Sequence, residues 1–133
     1  ETSVPWSKLN AVCEAASNRL IELHKKHNIP GKPYLSYRVP QIYHTGACIY
    51  FMFAINVKGV DNPIDLFTSI EYSMREAIME AGGSISHHHG VGKLRKDFMN
   101  GTISPTSIDL LKQIKTSHDP KNIFGVGNNV FSE

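Results

Sequence analysis

The sequence predicts an α+β fold in which helices lie on one face of an antiparallel sheet. Two observations support this prediction. Apolar residues recur at helical spacing in two long stretches, and between these stretches lie two strand-like segments joined by a short turn. The chain has 133 residues, which is long enough for one ordinary domain with its own core. Its 41% hydrophobic and 20% charged residues are typical of a globular protein.

The first predicted element is a helix from about Trp6 to about Lys26. A hydroxyl pair, Thr2 and Ser3, followed by Pro5, is a helix-start pattern. Trp6, at the start of the helix, is interpreted as a packing anchor. The apolar stripe of this helix consists of Leu9, Val12, Cys13, Ala16, Leu20 and Leu23.

Two strands follow, and the short turn between them predicts an antiparallel hairpin. The first strand is Tyr34–Tyr43, in which Pro40 indicates a bulge or an edge. Arg38 lies in this strand and faces either solvent or a ligand; its spacing favours solvent. The second strand, Ala47–Val57, has one apolar core face and carries Tyr50 on its opposite face.

A second long helix is predicted to begin after Asp61 or Asn62, either of which can cap it, with Pro63 in the first turn. It ends at the Gly82-Gly83 pair. Residues Ser84–Ser86 are then predicted to add a short strand. The apolar stripe of the helix consists of Ile64, Phe67, Ile70, Met74, Ala77, Ile78 and Ala81.

The C-terminal part is predicted to be helical. Val91–Met99 is interpreted as a short helix, and Ser104-Pro105 starts another that ends at Asp119-Pro120. The buried side of the latter is expected to be formed by Ile108, Leu110, Leu111 and Ile114. Three apolar residues of the tail are expected to pack against other parts of the protein: Ile123, Phe124 and Val126.

The stretch Gly82–Lys96 carries most of the functional chemistry. Its histidines, His87, His88 and His89, can donate or accept protons near neutral pH, and its glycines allow a ligand to approach the backbone. A metal site is disfavoured because no cysteine or carboxylate lies nearby in sequence, and because neighbours in an extended segment point to opposite faces. A solvated polar turn is the remaining structural alternative.

Two cations follow the histidines. Lys93 and Arg95 are candidates for binding an anion, although a solvated helix face explains them equally well. The net charge of +2 is too small to favour binding of nucleic acid. Cys13 and Cys48 are expected to be buried free thiols. No apolar run is long enough to predict a transmembrane helix.

The motif Gly-Gly-Ser-Ile-Ser-His-His-His-Gly-Val-Gly-Lys-Leu-Arg-Lys at 82–96, with Asp-Pro-Lys-Asn-Ile-Phe-Gly at 119–125, resembles the C-terminal part of the alkyldihydroxyacetonephosphate synthase family. That family belongs to the vanillyl-alcohol-oxidase-type flavoproteins. The resemblance includes residues 1–6, 37–41 and 46–51, and therefore covers essentially the whole chain. Pro40 departs from it, because threonine is expected there in many members, and this affects only the local strand geometry.

The resemblance implies a step of ether-lipid biosynthesis. The acyl group of acyl-dihydroxyacetone phosphate is exchanged for a long-chain fatty alcohol, with FAD bound and no net redox change. Tyr50 and the histidines His87, His88 and His89 match the catalytic residues of the family. For this chemistry the phosphate must be held by cations, for which the candidates are Arg38, Lys93 and Arg95. Five consecutive residues match a stretch that is assigned to the cofactor site: Val126, Gly127, Asn128, Asn129 and Val130.

The resemblance also implies a domain organisation. Residues 1–86 would be the C-terminal part of a substrate (cap) domain, and residues 87–133 the histidine loop and a helical segment that returns to the FAD-binding domain. The chain opens on Glu1 and lacks the glycine-rich loops for the FAD pyrophosphate, so we expect it to be part of a longer enzyme, with little activity of its own.

The family resemblance further implies a peroxisomal or glycosomal homodimer, with a targeting signal outside this chain and peripheral contact with the peroxisomal membrane. Three alternatives remain. They are a fragment of an FAD-dependent 2-hydroxy-acid dehydrogenase, a binding module for phosphate or metal, and a purely structural domain. The dehydrogenases carry Glu-His-Gly where this chain has His88-His89-Gly90, which favours the synthase.

Overall fold

The computed structural model describes residues 1–131, which belong to two compact units. The first, which we call the sheet unit, is Glu1–His87. The second, the histidine–helix unit, is His88–Glu133, of which positions 132 and 133 lie outside the described residues. The C-terminal segment predicted over 87–133 therefore extends beyond the described part by these two positions.

The sheet unit contains a three-stranded antiparallel sheet with the strand order β1-β3-β2. The strands are β1 (Thr2–Pro5), β2 (Tyr34–Ile42) and β3 (Gly46–Ala54). Because β3 pairs with both other strands, it is the central strand. The predicted α+β fold and the predicted antiparallel hairpin are confirmed.

The N-terminal residues form a strand, so the helix cap predicted there is wrong. Thr2 and Val4 pair with Ile49 and Ala47, and their side chains are buried. Burial of alternate residues is the pattern of a strand with one face on a core. The pairing also satisfies backbone groups along one edge of β3, which a helix cap would leave unbonded. The helix therefore begins only at Leu9, after one turn of 3-10 helix.

β2 is irregular at its proline. The pairing register with β3 shifts between Arg38 and Gln41, around Pro40, because proline has no N–H to donate to the ladder. The predicted bulge is confirmed. β3 ends at Ala54, before the predicted end at Val57.

Two long helices, α1 (Leu9–Lys26) and α2 (Pro63–Glu80), form a core together with the sheet. Asn62 caps α2 and Pro63 occupies its first turn, as predicted. The main cluster of buried residues consists of Ala16, Leu20, Leu23, Ile29, Ile70 and Met74. Full burial of a leucine or isoleucine side chain contributes about 1.5–3 kcal/mol.

Three residues predicted to pack inside are exposed: Trp6, Ile64 and Phe67. Ile64 is 76% exposed, because it lies in the first turn of α2, before the buried stripe begins at Ile70. Trp6 is also exposed, so it is not a packing anchor. Its indole N–H instead donates to the backbone carbonyl of Tyr43 at 2.9 Å.

The glycine pair ends α2, as predicted, but the strand predicted after it is absent from the described residues. Gly82 adopts a left-handed φ of 104°, which stops the helix. Ser84 then bonds to β1 without forming a ladder. Its N–H donates to the Ser3 carbonyl at 2.9 Å, and its hydroxyl accepts from the Ser3 N–H at 2.8 Å. These bonds, together with one from the Thr2 hydroxyl to the Ser84 carbonyl at 2.7 Å and one between the Ser3 and Ser84 hydroxyls at 2.9 Å, hold this segment in place of strand pairing.

The histidine–helix unit contains a 3-10 helix (Lys96–Gly101) and α3 (Pro105–His118). The short helix predicted at Val91–Met99 is therefore displaced toward the C-terminus and is of the 3-10 type. Ser104 caps α3, its hydroxyl accepting from the Ser107 N–H at 3.1 Å, as predicted. Within residues 1–131, no helix has the length and apolar character needed to cross a membrane.

Most apolar residues of this unit that were predicted to be buried are exposed. Ile108 is buried, but Leu110 and Ile114 of α3 are exposed. Helical spacing predicts which face of α3 is apolar. Among the described residues, only the part of that face around Ile108 is buried by other residues. In the tail, the expected packing is wrong for all three apolar residues, which are exposed: Ile123, Phe124 and Val126.

Candidate active site

The hairpin of the sheet unit places Tyr50 opposite Arg38. The two residues are direct partners across β2 and β3. The guanidinium carbon of Arg38 lies 5.2 Å from the centroid of the Tyr50 ring, within the range of a cation–π contact. Arg38 is exposed, as its spacing predicted, and Tyr50 is half-buried. The sequence did not pair these two side chains, because the pairing depends on the hairpin register.

His87 is the only one of the three histidines that belongs to the sheet unit. Its Nε2 lies 2.8 Å from the hydroxyl oxygen of Tyr43, and the two rings are 5.7 Å apart between centroids. Tyr43 follows β2 directly and was not predicted to be a site residue. No local signal could have identified it, because the contact joins residues that are 44 positions apart in sequence.

The side chain of Glu1 holds the segment that leads into the histidines. One carboxylate oxygen accepts from the Ser86 hydroxyl at 2.5 Å, and the other accepts from the backbone N–H of His87 at 2.7 Å. Hydrogen bonds to a carboxylate are stronger than those between neutral groups. Glu1 therefore fixes the backbone at the first histidine. No pattern in the sequence indicates this role.

The fold also brings a possible set of metal ligands together. One ligand atom from each of Glu1, Cys48 and His87 lies within 4.8 Å of the others. No cysteine or carboxylate lies near the histidines in sequence, but folding brings Glu1 and Cys48 close to His87. These groups are nevertheless engaged in other ways. Both carboxylate oxygens of Glu1 accept hydrogen bonds, Nε2 of His87 contacts Tyr43, and burial raises the pKa of the Cys48 thiol, as does the charge of Glu1. The arrangement favours a hydrogen-bonded network over a metal site.

A cleft of about 590 Å³ in the sheet unit lies beside these residues. The side chains of Tyr43 and His87 both line it, together with Ser3, Thr45 and the glycine pair that ends α2. Its walls therefore carry hydroxyls and an imidazole next to bare backbone. Such a surface can bind a polar group of a small molecule.

In the histidine–helix unit, the rings of His88 and His89 contact each other edge to face, with centroids 4.5 Å apart. Both residues are exposed. Arg95 donates from Nη1 to the carbonyl of Gly90 at 2.7 Å, and so closes the loop that follows the histidines. Part of its guanidinium therefore has a structural role in addition to the predicted role in substrate binding. Lys93 is exposed and adjacent to this loop.

The predicted cofactor stretch is bonded to the same loop. The backbone N–H of Asn129 donates to the carbonyl of Gly92 at 2.8 Å. Asn129 and Gly127 both have left-handed φ angles, which make the stretch compact. The stretch consists of Val126, Gly127, Asn128, Asn129 and Val130, of which Val130 is buried and Val126 exposed.

Asp119 holds the loop that leads to this stretch. Its carboxylate accepts from the backbone N–H groups of Ile123 and Phe124, at 2.9 and 2.8 Å, and pairs with the ammonium group of Lys115. The bond from Lys115, followed by the two backbone bonds, lowers the pKa of Asp119 to about 2. The sequence was interpreted here only as a helix end. The Asp-Pro pattern is a usable signal, because aspartate commonly accepts bonds from nearby backbone N–H groups.

The class of this protein follows from its match to a known family. The sequence matches the family described as FAD linked oxidases, C-terminal domain, over residues 1–128. The chain belongs to this family.

Within this class, the chain is similar to proteins named alkyldihydroxyacetonephosphate synthase. The chain is 42% identical over 128 residues to alkyldihydroxyacetonephosphate synthase of Caenorhabditis elegans, covering 96% of this chain and 21% of the relative. It is 28% identical over 123 residues to the enzyme of that name from Dictyostelium discoideum, covering 92% and 20%. The resemblance inferred from the histidine motif is confirmed. The chain spans about a fifth of the length of these relatives.

A solved structure of an alkyldihydroxyacetonephosphate synthase has the same fold. The TM-score is 0.60 at 21% identity, and the match covers 93% of this chain and 19% of the solved one. The match extends through both units of the chain.

The family is FAD-linked, and the histidine–helix unit fits part of a flavin site. A cavity of about 560 Å³ is bordered by backbone at Gly92 and Gly125, by the amide side chains of Asn128 and Asn129, and by Lys115. Glycine backbone and amide groups suit the polar edge of a flavin ring, whereas the ammonium group of Lys115 is already paired with Asp119. The glycines and asparagines would hold the cofactor from this side.

Proposed function

We propose that the full-length protein containing this chain exchanges the acyl group of acyl-dihydroxyacetone phosphate for a long-chain fatty alcohol, giving alkyl-dihydroxyacetone phosphate and a fatty acid. The observation that carries this proposal is the histidine run itself. It is anchored before its first member by Glu1 and after its last by Arg95, so the imidazoles are presented from a fixed backbone. Fixed placement of reacting groups is a large part of catalysis.

The histidines supply the acid–base chemistry of this reaction. The substrate carries a C–H group beside a ketone, and a base must remove its proton and later return it. An imidazole is suited to both tasks near neutral pH. His87 is held by Tyr43 and by Glu1, while His88 and His89 are exposed and can reach a substrate. Tyr50 offers a phenol as a second proton carrier, and the Arg38 guanidinium above its ring holds the ring in place.

Cations of the chain hold the phosphate of the substrate. In the histidine–helix unit Lys93 is exposed, whereas Arg95 has one donor committed to the Gly90 carbonyl, so we assign Lys93 the larger share of phosphate binding there. In the sheet unit the exposed Arg38 is the corresponding candidate. FAD, when bound, supplies the electron-accepting ring for this chemistry, and the protein supplies position and charge. Residues 126–130 hold the cofactor in this proposal.

Other properties follow from the same proposal. The full-length enzyme would be a homodimer in peroxisomes or glycosomes, with peripheral contact with the membrane that contains its long-chain alcohol substrate. Its targeting signal would lie outside this chain.

The test is an exchange assay on the full-length protein loaded with FAD. Labelled long-chain alcohol should enter acyl-dihydroxyacetone phosphate with the wild type and not with His89→Ala, while flavin absorbance stays the same. His27→Ala, an exposed histidine just after α1, is the matched control and should retain wild-type exchange. Absence of exchange in the wild type, with bleaching of the flavin by a 2-hydroxy acid, would replace the proposal with the dehydrogenase alternative.

A further inference from the structure

Tyr43 and His87 form a side-chain pair that the mechanism above uses only in passing. The phenol oxygen and Nε2 are 2.8 Å apart, a normal hydrogen-bond length. The phenol also lies 3.5 Å from the side-chain oxygen of Gln41, at the limit of such a bond. Both rings line the cleft of about 590 Å³. The pair therefore lies on a surface that a ligand can reach.

The backbone of Tyr43 is fixed from two sides. Its carbonyl accepts from the indole N–H of Trp6 at 2.9 Å, and its N–H donates to the carbonyl of Gly46 at 2.7 Å. Gly46 is paired with Pro5 of β1, and its backbone lies so close to β1 that a Cβ there would be 2.1 Å from the carbonyl oxygen of Val4. The phenol is thus attached to a rigid turn. A rigid partner restricts the imidazole far more than a flexible one would.

We propose that Tyr43 is a positioning residue for His87, a role that rests on the proposed function. A phenol hydroxyl can donate a hydrogen bond to a bare Nε2 and accept one from a protonated Nε2. The same contact therefore persists whether or not the imidazole carries a proton at that atom. Tyr43 holds the ring in one orientation while His87 gains and loses its proton. The Glu1 carboxylate performs the corresponding task for the backbone of His87.

The exposure of Tyr43 distinguishes this role from a contribution to stability. The residue is 48% exposed, so the free phenol can bond to water, and loss of the hydroxyl should change the unfolding temperature little. A fall in turnover without a fall in unfolding temperature, together with faster modification of His87, would then assign the effect to the contact with His87. This makes Tyr43→Phe an informative variant.

The experiment uses the full-length protein with FAD and compares wild type, Tyr43→Phe and Tyr34→Phe. Tyr34, an exposed tyrosine at the start of β2, is the matched control. Its hydroxyl donates to the Ser36 hydroxyl at 3.3 Å. Two quantities are measured. One is kcat and KM for alkyl exchange; the other is the rate at which diethyl pyrocarbonate modifies His87, read by peptide mass spectrometry.

We expect Tyr43→Phe to lower kcat about three- to ten-fold, which corresponds to the loss of one ordinary hydrogen bond, and to leave KM within about two-fold. Modification of His87 should become faster, because Nε2 loses its partner. Tyr34→Phe should change neither quantity. Trp6→Phe, which removes the donor to the Tyr43 carbonyl, should produce a smaller change in the same direction.

Two results would overturn the proposal. One is an unchanged rate of His87 modification in Tyr43→Phe. The other is a loss of turnover that accompanies a lowered unfolding temperature, because that would indicate a structural role. Absence of exchange in the wild type would instead contradict the proposed function. In that case the rate of His87 modification alone would test whether Tyr43 contacts and protects His87.

Discussion

The backbone N–H of Asn129 donates a hydrogen bond to the carbonyl of Gly92, with 2.8 Å between the two atoms. This bond joins two stretches that were singled out for function in the histidine–helix unit: the histidine loop, residues 88–95, and the stretch 126–130. Neither stretch is part of a helix or strand. The loop conformation therefore depends on this bond, on the Arg95 contact with Gly90, and on the glycines that permit it.

Gly92→Ala should loosen the histidine loop. Gly92 has a left-handed φ of 55°, and a Cβ there would meet no atom within 4 Å, so the cost comes from the backbone alone. That cost is about 1 kcal/mol. We expect the full-length variant to bind less FAD and to lose exchange activity. Gly101→Ala is the control, because Gly101 has open space and no left-handed φ. Equal flavin content in both variants would contradict this prediction.

Gly83→Ala should destabilise the sheet unit. A Cβ at Gly83 would lie 2.7 Å from the Ile78 side chain, 2.8 Å from the Thr2 hydroxyl and 2.9 Å from the Ile78 carbonyl. Because backbone is among these atoms, neighbouring side chains cannot relieve the clash, and we expect a loss of about 1–3 kcal/mol. Thermal unfolding of the full-length protein measures it, again with Gly101→Ala as the control. An unfolding temperature equal to that of the control would show that the segment after α2 can move.

The Asp119 loop should open in acid. The pKa of Asp119 is lowered to about 2 in the folded protein, against about 3.9 when unfolded. A lowered pKa stabilises the folded state above the unfolded value, so this contribution is complete at neutral pH. It is lost as the pH falls from about 4 to about 2. Hydrogen exchange at the amides of Ile123 and Phe124 should accelerate over that range, after correction for the pH dependence of the intrinsic rate.

Asp119→Asn should reproduce the same opening at neutral pH. The amide cannot pair with the ammonium group of Lys115, and it has one acceptor oxygen for two backbone N–H groups. Faster exchange at Ile123 and Phe124 is the expected result. Asp109→Asn, an exposed residue on α3, is the control and should exchange at the wild-type rate. If exchange is unchanged in Asp119→Asn, the carboxylate does not hold the loop.

Arg38→Met should weaken substrate binding without unfolding the protein. The change removes a positive charge proposed to bind phosphate and also the cation–π contact with Tyr50. An exposed contact of this kind is worth about 0.5–1 kcal/mol, so the unfolding temperature should fall only slightly. We expect KM for acyl-dihydroxyacetone phosphate to rise several-fold, with kcat reduced through Tyr50. Lys32→Met, an exposed cation just before β2, should leave KM unchanged.

Much of the fold could be predicted because its signals are local. The cap at Asn62, the glycine stop after α2, the alternation along β3 and the bulge at Pro40 each depend on a few neighbouring residues. The strand at Thr2–Pro5 could not be predicted, because a hydroxyl pair before a proline suits a helix start equally well. Only its pairing with β3 decides between the two.

The candidate site also contains residues that could be predicted from the sequence and residues that could not. The histidine run, Tyr50 and the cations at 38, 93 and 95 were identified from residue type and motif, and the family followed from the same motif. Glu1, Tyr43 and Asp119 were missed as site residues. Glu1 and Tyr43 act on His87 through contacts that span 86 and 44 positions in sequence, which no local pattern contains.

The sequence by itself determined the family, the fold class, and the chemical groups available for the reaction, because these depend on residue identity and on short-range periodicity. The tertiary structure alone decided which of these side chains contact each other. It placed the carboxylate of Glu1 and the phenol of Tyr43 on His87, and the guanidinium of Arg38 over Tyr50. The physical reason is distance. A hydrogen bond or cation–π contact acts over a few ångströms, and only folding brings residues so far apart in the chain within that range.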